Sequence, residues 1–534
     1  MWDMLQFLQA SCARPRRESL GAGRQECLRH VEARMKATSL SGTLLVALVA
    51  GLALPMAMHA QPGIFEGSGD IGTVLHKGAV EYDGAAKSYR VTGSGENVWG
   101  TADAFYFVWK KVSGDVSISA DINFATKTGE EHKKAMLMFR QSLDADSAYA
   151  DVAAHVVGLT SLQSRAAKGE ATHEVQANVS AVPKHLQITK RGAYFYLSMA
   201  GDGEEMHFAG PAMKVELQEP FYVGIGVAAH NKDNIETATF SNVKITPLAA
   251  TTAKGTLYST METITVASTD RRVTYSATER FEAPNWLKDN TLLYNAGGHL
   301  LRIPSDGSAK PVTIDTGAIG RINNDHVPTP DGTTVGISDG TQAGGSRIYL
   351  TPIAGGTPRK ITEKAPSYLH GISPDGKTLA FCAQRNGNFD VYTVPAAGGE
   401  ETRLTTAEGL DDGPEYSPDG EYIYFNSVRS GSMQIWRMKT DGSGQEQVTP
   451  DDGYNNWFAH VSPDGTRIAF ITFNKDVPAD QHPPDKEVML RVMTLATKKI
   501  AVLTKLFGGQ GTMNVNSWSP DSRKLAFVSY QYIQ

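Results

Sequence analysis

One tetrapeptide, recurring at a nearly fixed interval, limits what this chain can fold into. Thr-Pro-Asp-Gly stands at 329–332 and Ser-Pro-Asp-Gly at 373–376, 417–420 and 462–465. A relaxed copy, Ser-Pro-Asp-Ser, occupies 519–522, and a degenerate one, Leu-Lys-Asp-Asn, occupies 287–290. Their aspartates, at 289, 331, 375, 419, 464 and 521, are spaced by 42, 44, 44, 45 and 57 residues. The motif has the chemistry of a tight turn: Pro presets φ, Asp bonds the nearby backbone and Gly accepts positive φ. A turn repeated with a period in the low forties marks the four-stranded blades of a β-propeller.

The residues between the turns agree. Short β-runs follow them, as at 291–294, 378–381, 422–425, 467–470 and 524–527, and second strands come next, as at 390–393 and 434–437. Glycine-containing hairpin turns then stand at 306–307, 355–356, 398–399 and 441–442. After Asp521 only thirteen residues remain, enough for one strand. The missing outer strands are expected from 263–267 and 271–276, so that the two ends of the repeat region share one blade. That closure removes open sheet edges and gives six blades over residues 256–534. An open β-solenoid leaves the strands at 256–276 without a role. The stretch Ser-Pro-Asp-Gly-Lys-Thr-Leu-Ala-Phe at 373–381 resembles the repeats of TolB-like propellers. The resemblance implies a fold and is nearly silent about function.

Residues 61–248 also read as strands. Positions 116–122 alternate apolar and polar residues as a half-buried strand does; 135–139 and 221–227 read as core strands, and 194–197 follows an Arg-Gly turn. Gly-Ile-Gly-Val-Ala-Ala-His at 224–230 and Ala-Thr-Phe-Ser-Asn-Val at 238–243 resemble the closing strands of concanavalin-like (lectin-like) β-sandwiches that bind or process glycans. Glu130, Glu131, Glu204 and Glu205 fall in polar loops and read as solvated turns, so this region is expected to bind or to support. An Ala/Thr linker at 249–255 joins the halves, and the expected fold class is all-β, a sandwich followed by a six-bladed propeller.

A basic stretch from Arg14 to Lys36 precedes an apolar run at 44–58 and a small residue at Ala60. That is the layout of a secretory signal over 1–60, with Met35 as its natural start and 1–34 as an over-extended translation start. A cytoplasmic tail with a signal anchor is the other reading. Removal of this segment, net +3, takes the chain from −6 to −9, a charge without general attraction for nucleic acid. The mature chain is expected in the periplasm or secreted, not spanning a membrane. It keeps one cysteine, Cys382, and so has no internal disulfide.

Ligands of propellers usually meet residues at the mouth of the central channel. The positions ahead of the turns supply Asn285, Trp286, Asn324, Asp325, Tyr368, Asp411, Asp412, Asn455, Asn514 and Trp518. They also supply the chosen candidates His326, His370, Glu415, Trp457, His460 and Asn516, joined by His482 and Gln510 from later loops. In one reading His326, His370 and His460, with Gln510 or His482, hold a divalent metal, manganese or zinc. That set resembles the three-histidine-plus-glutamine site of oligogalacturonate lyases. In the other reading the histidines hydrogen-bond backbone groups between blades. Two functions remain open: a recognition module for a glycan or a periplasmic protein, and a carbohydrate-active enzyme, a metal-assisted lyase or glycosidase. No catalytic residue is assigned.

Overall fold

The computed structural model describes residues 63–178, 185–250 and 255–533. The expected signal segment and residues 251–254 of the expected linker lie outside the described residues. Every regular element described is a β-strand.

Two large sheets form the N-terminal half. One runs Gly67–Ile71, Phe105–Val112, Phe221–Ala228, Lys134–Arg140, Tyr149–His155, Thr160–Arg165 and His173–Asn178; the other has Val116–Phe124, flanked by His185–Arg191 and Glu236–Pro247, at its centre. Their facing sides share a core that includes Phe139, Ile225, Ile118, Ile188, Phe195 and Phe240. Strand Val116–Phe124 buries Val116, Ile118, Ala120 and Ile122 while Ser119, Asp121 and Asn123 lie nearer solvent, the alternation that the sequence predicts.

Five four-stranded antiparallel blades follow, beginning at Phe281–Trp286, Ile322–Pro328, Ser367–Ile372, Asp411–Tyr416 and Tyr454–Val461. The repeated turn explains their regularity. In the third unit the Ser373 hydroxyl donates to Asp375 at 2.6 Å and accepts from the Thr378 amide at 2.9 Å, while the Lys377 amide donates to Asp375 at 3.1 Å. Gly376 takes φ +71°. The same serine–aspartate bond closes the turns at Ser417, Ser462 and Ser519.

Each first strand breaks register with its neighbour just before the turn: between Glu282 and Asn285, Ile322 and His326, Leu369 and Gly371, Asp412 and Glu415, and Trp457 and His460. Such bulges bend a strand and re-aim its side chains. Ala283 and Phe458 adopt positive φ, 54° and 56°, within these breaks.

The remaining strands bring distant segments together. Lys524–Ile533 pairs antiparallel along the whole of Thr256–Thr265, which pairs in turn with Arg271–Ala277. Arg271–Ala277 then lies parallel to the sandwich strand His173–Asn178, with Val175 opposite Arg271 and Gln176 opposite Arg272. One ten-stranded sheet therefore runs from the sandwich into the propeller strands.

Candidate functional site

The register breaks turn polar side chains from successive units toward one another, where they link into a ring. Asn324 donates to Glu282 at 3.5 Å, and Asn323 donates to Asp325 at 2.6 Å. The imidazole Nε2 of His370 lies 3.8 Å from Asp325 and 3.4 Å from Asp412. Asp412 faces His482 at 3.8 Å, and His482 bonds Gln510. Gln510 accepts from Asn514 at 3.1 Å, and the Gly511 carbonyl accepts from the Ala283 amide at 2.7 Å, which returns to the unit of Glu282.

Phe458 packs inside this ring, 5.9 Å from the His370 ring and 5.1 Å from that of His482. Its approach requires Gly413, since a Cβ there would stand 3.1 Å from the Phe458 ring and 2.6 Å from the Asn426 amide nitrogen. Beside the ring opens a cavity of about 430 Å³ that Glu279, Arg280, Glu282, Asn295 and Asn323 help to line. Arg280 is held by Asp485 at 2.6 Å, and Asp485 also accepts from the Tyr532 hydroxyl at 2.7 Å.

Charge is distributed unevenly here. Burial opposes a charge on His370, but Asp325 and the hydrogen-bonded Asp412 outweigh it and lift its pKa to about 9. Burial likewise works against the Asp412 carboxylate, yet the hydrogen bond and charge of His370 hold it well below the usual range. Burial raises Asp325 and Glu282 above the ordinary carboxylate range. That shift favours the imidazolium form of His370, clamped between Asp325 and Asp412.

The other predicted residues separate into distinct groups. His460 lies 2.7 Å from Glu415 through Nδ1 and 3.2 Å from the Met513 carbonyl through Nε2. Glu415 also accepts from Asn516 at 2.7 Å and from the Val461 amide at 2.9 Å, so buried Glu415 and His460 and half-buried Asn516 form one knot between units. His326 sits 2.8 Å from Asn285 and 3.3 Å from Asn295, and burial pushes its pKa down to about 3. Trp457 is buried, with its ring 4.4 Å from His482.

The expected set of His326, His370 and His460 is therefore not brought together as one ligand sphere. Among the described residues no group of three or more His, Cys, Asp or Glu is arranged to hold a metal ion. The bulges are the physical reason. His326 and His370 both stand three residues before their turns, yet His370 lies in a register break whereas His326 pairs with Ile337; His460, two residues before its turn, pairs with Ala469.

Sequence reasoning passed over Glu282 and Phe458 and named Asp325 and Asp412 only among many mouth positions. A signal for part of this set was available. Seven residues before each turn aspartate stand Glu282, Asn324, Tyr368, Asp412, Trp457 and Asn514, and Glu282, Asn324, Asp412 and Asn514 all join the ring.

Comparison with known proteins places this geometry in a family. A family model described as the TolB beta propeller domain matches residues 330–531. An uncharacterized protein of Agrobacterium fabrum, Atu1656, is 45% identical over 277 residues, 52% of this chain and 94% of the relative. A solved structure from Agrobacterium tumefaciens, provisionally assigned to TolB, is 45% identical, covers 52% of this chain and 100% of its own, and superposes with a TM-score of 0.50. An oligogalacturonate lyase solved with manganese is 15% identical over 48% of this chain and 75% of its own, with a TM-score of 0.33, a likeness too slight to bear on function. The chain belongs to the family of TolB-like β-propeller proteins.

Proposed function

We propose that this protein is an exported recognition propeller that binds a glycan or a segment of a periplasmic protein at the mouth of its channel. The observation that carries the reading is the ring itself: side chains from every unit meet at one place, beside a cavity of about 430 Å³ lined by residues of the first two units and the segment just before them, the size of a small-ligand site. In this reading the paired strands Lys524–Ile533, Thr256–Thr265 and Arg271–Ala277 act with residues 512–518 as a sixth blade and close the ring. The sandwich adds a lectin-like surface to the same exported chain.

The mouth is rich in acceptors. Glu279, Glu282, Asp325, Asp412 and Asp485 outnumber Arg280 and the His370 imidazolium, and both cations are already matched by carboxylates. Such a site favours a ligand that presents hydroxyl, amide or ammonium hydrogens over one that presents carboxylates. That counts against uronate cleavage at this mouth, where a substrate carboxylate needs a free cation. The carbohydrate-active alternative, with its divalent metal, draws on the polar mouth alone.

The test is a panel of neutral, amino and acidic oligosaccharides, with lysine-containing and neutral peptides, titrated calorimetrically against the mature protein. Products are assayed in the same mixtures. Binding of neutral or amino ligands without turnover is expected. Turnover of an acidic oligosaccharide, dependent on added manganese or zinc, would establish the enzyme instead.

A further inference from the structure

A second cavity, of about 540 Å³, lies between the sandwich and the propeller, at the kind of domain junction where ligand sites concentrate. Gln176, His207 and Phe208 line it from the sandwich, and Arg272, Tyr275 and Ser308 from the propeller. Its walls are tightly joined. Gln176 stands in register with Arg272, and Gln531 reaches across to the Gly210 carbonyl at 2.9 Å. A Cβ on Gly210 would stand 3.0 Å from Val273, and one on Gly307 would stand 2.4 Å from the Thr274 carbonyl.

Two adjacent arginines reveal what the cavity is equipped to hold. Neighbours on a strand point to opposite faces. Arg271 turns inward and grips Glu262 with two bonds of 2.8 and 2.9 Å, beneath Ser529. That pair is buried and structural. Arg272 turns to the cavity, where its guanidinium makes one long bond, 3.4 Å, to the Asp306 carbonyl. The Asp306 carboxylate serves its own turn, accepting from the Ser308 amide at 3.0 Å. Hydrogen bonds from Ser308 chiefly, with a smaller contribution from Arg272, hold it below its ordinary range.

The guanidinium thus keeps a fork of donors, the geometry that binds a carboxylate with two parallel bonds. Flanking it are aromatic walls fixed from behind: Phe208 packs 5.6 Å from Tyr258, and Tyr275 packs 5.5 Å from Phe281. Ser276, Ser308 and Gln176 add neutral polar groups. A pyranose ring has the matching surface, an apolar face edged with hydroxyls. We propose that this junction binds an acidic saccharide, its carboxylate on Arg272 and its ring between Phe208 and Tyr275. The site is separate from the channel mouth and does not depend on the reading given to it.

Ligand-observed NMR titrations of the mature protein with glucuronate, glucose and N-acetylalanine test the proposal. Glucuronate is expected to bind at least about tenfold more tightly than the other two, and Arg272→Gln to weaken it by about tenfold or more. Arg272→Lys, which keeps the charge and loses the fork, should fall between, and thermal melts of both variants report that the fold is intact. Glu282→Gln, at the mouth, should leave glucuronate binding unchanged. Absence of glucuronate binding, equal binding of N-acetylalanine, or unchanged affinity in a folded Arg272→Gln protein overturns the proposal. Loss of binding in Glu282→Gln instead would place the acidic ligand at the mouth, against both this inference and the donor-rich ligand expected there.

Discussion

His370 shows how one residue can couple the site to the stability of the fold. Its pKa rises from an unfolded value of about 6.5 to about 9. A raised histidine stabilises the folded state fully below the unfolded value, and that stability is lost as pH climbs through the folded value. Thermal melts from pH 6 to pH 10 should therefore show a decline centred between about 6.5 and 9 that is absent in His370→Gln; parallel curves for the two proteins would contradict the clamp. His326 and His155 work in the opposite sense. Burial depresses His326 to about 3, and burial, then the Lys134 charge, depresses His155 to about 2. Each penalises the folded state as pH falls below about 6.5, so His326→Gln, if it keeps the Asn285 bond, should soften acid unfolding between pH 6 and 4. Cys382 is buried, and burial, with Asp412 nearby, raises its thiol far above the ordinary value. It should resist iodoacetamide in the native protein and react only after unfolding; rapid native labelling would show strand Thr378–Arg385 to be open. Residue identities were legible here more often than roles. His460 and Glu415 stood out in the sequence, yet their contact across two units depends on tertiary geometry that no local pattern encodes.

At the scale of elements, the turns were the most readable part of the chain, because each carries its own chemistry. Ser417 illustrates the economy of the motif: its hydroxyl donates to Asp419 at 2.5 Å and accepts from the Tyr422 amide at 3.0 Å. Ser417→Ala should cost about 1–2 kcal/mol in chemical denaturation, with no change in ligand binding. A loss below a few tenths of that would mean that the proline and glycine hold the turn unaided. The bulges were not readable. A register break leaves no residue signature comparable to Pro-Asp-Gly, and it falsifies the period-two rule that sequence reasoning must use to aim a side chain. The three histidines illustrate the point: His370 lies within a break, while His326 and His460 are paired at the edge of one. The sandwich strands were legible where alternation was strict, as in Val116–Phe124, and less so in the other sheet, on Lys134–Arg140 and Thr160–Arg165. There Arg140 and Arg165 are fully buried against Asp103, both at 2.7 Å, an ionic interior that polarity alone assigns to solvent.

The whole molecule is held by what its sequence keeps farthest apart. Strand Thr256–Thr265 meets Lys524–Ile533 across more than 250 residues, and the buried Arg271–Glu262 pair fastens this sheet where it continues into the sandwich. The shortfall of strands after Asp521 foretold the first of these contacts. Nothing in the sequence announced the second, because a two-residue parallel pairing with the sandwich has no local pattern. Glu262→Ala should leave Arg271 buried without its partner and destabilise the protein by about 3–5 kcal/mol, melting sandwich and propeller together; separate transitions would show that the shared sheet does not couple them. The proposed function rests on the same closure, since it needs successive units to surround one axis. The most direct measurement is the affinity of the tightest mouth ligand for the mature protein, Glu282→Gln, Asp412→Asn and the double variant. Each single change is predicted to weaken binding by about tenfold, and the two together by more than either. Undiminished affinity in folded Glu282→Gln and Asp412→Asn proteins would contradict the account, because the ring would then be scaffold and the ligand would be held elsewhere.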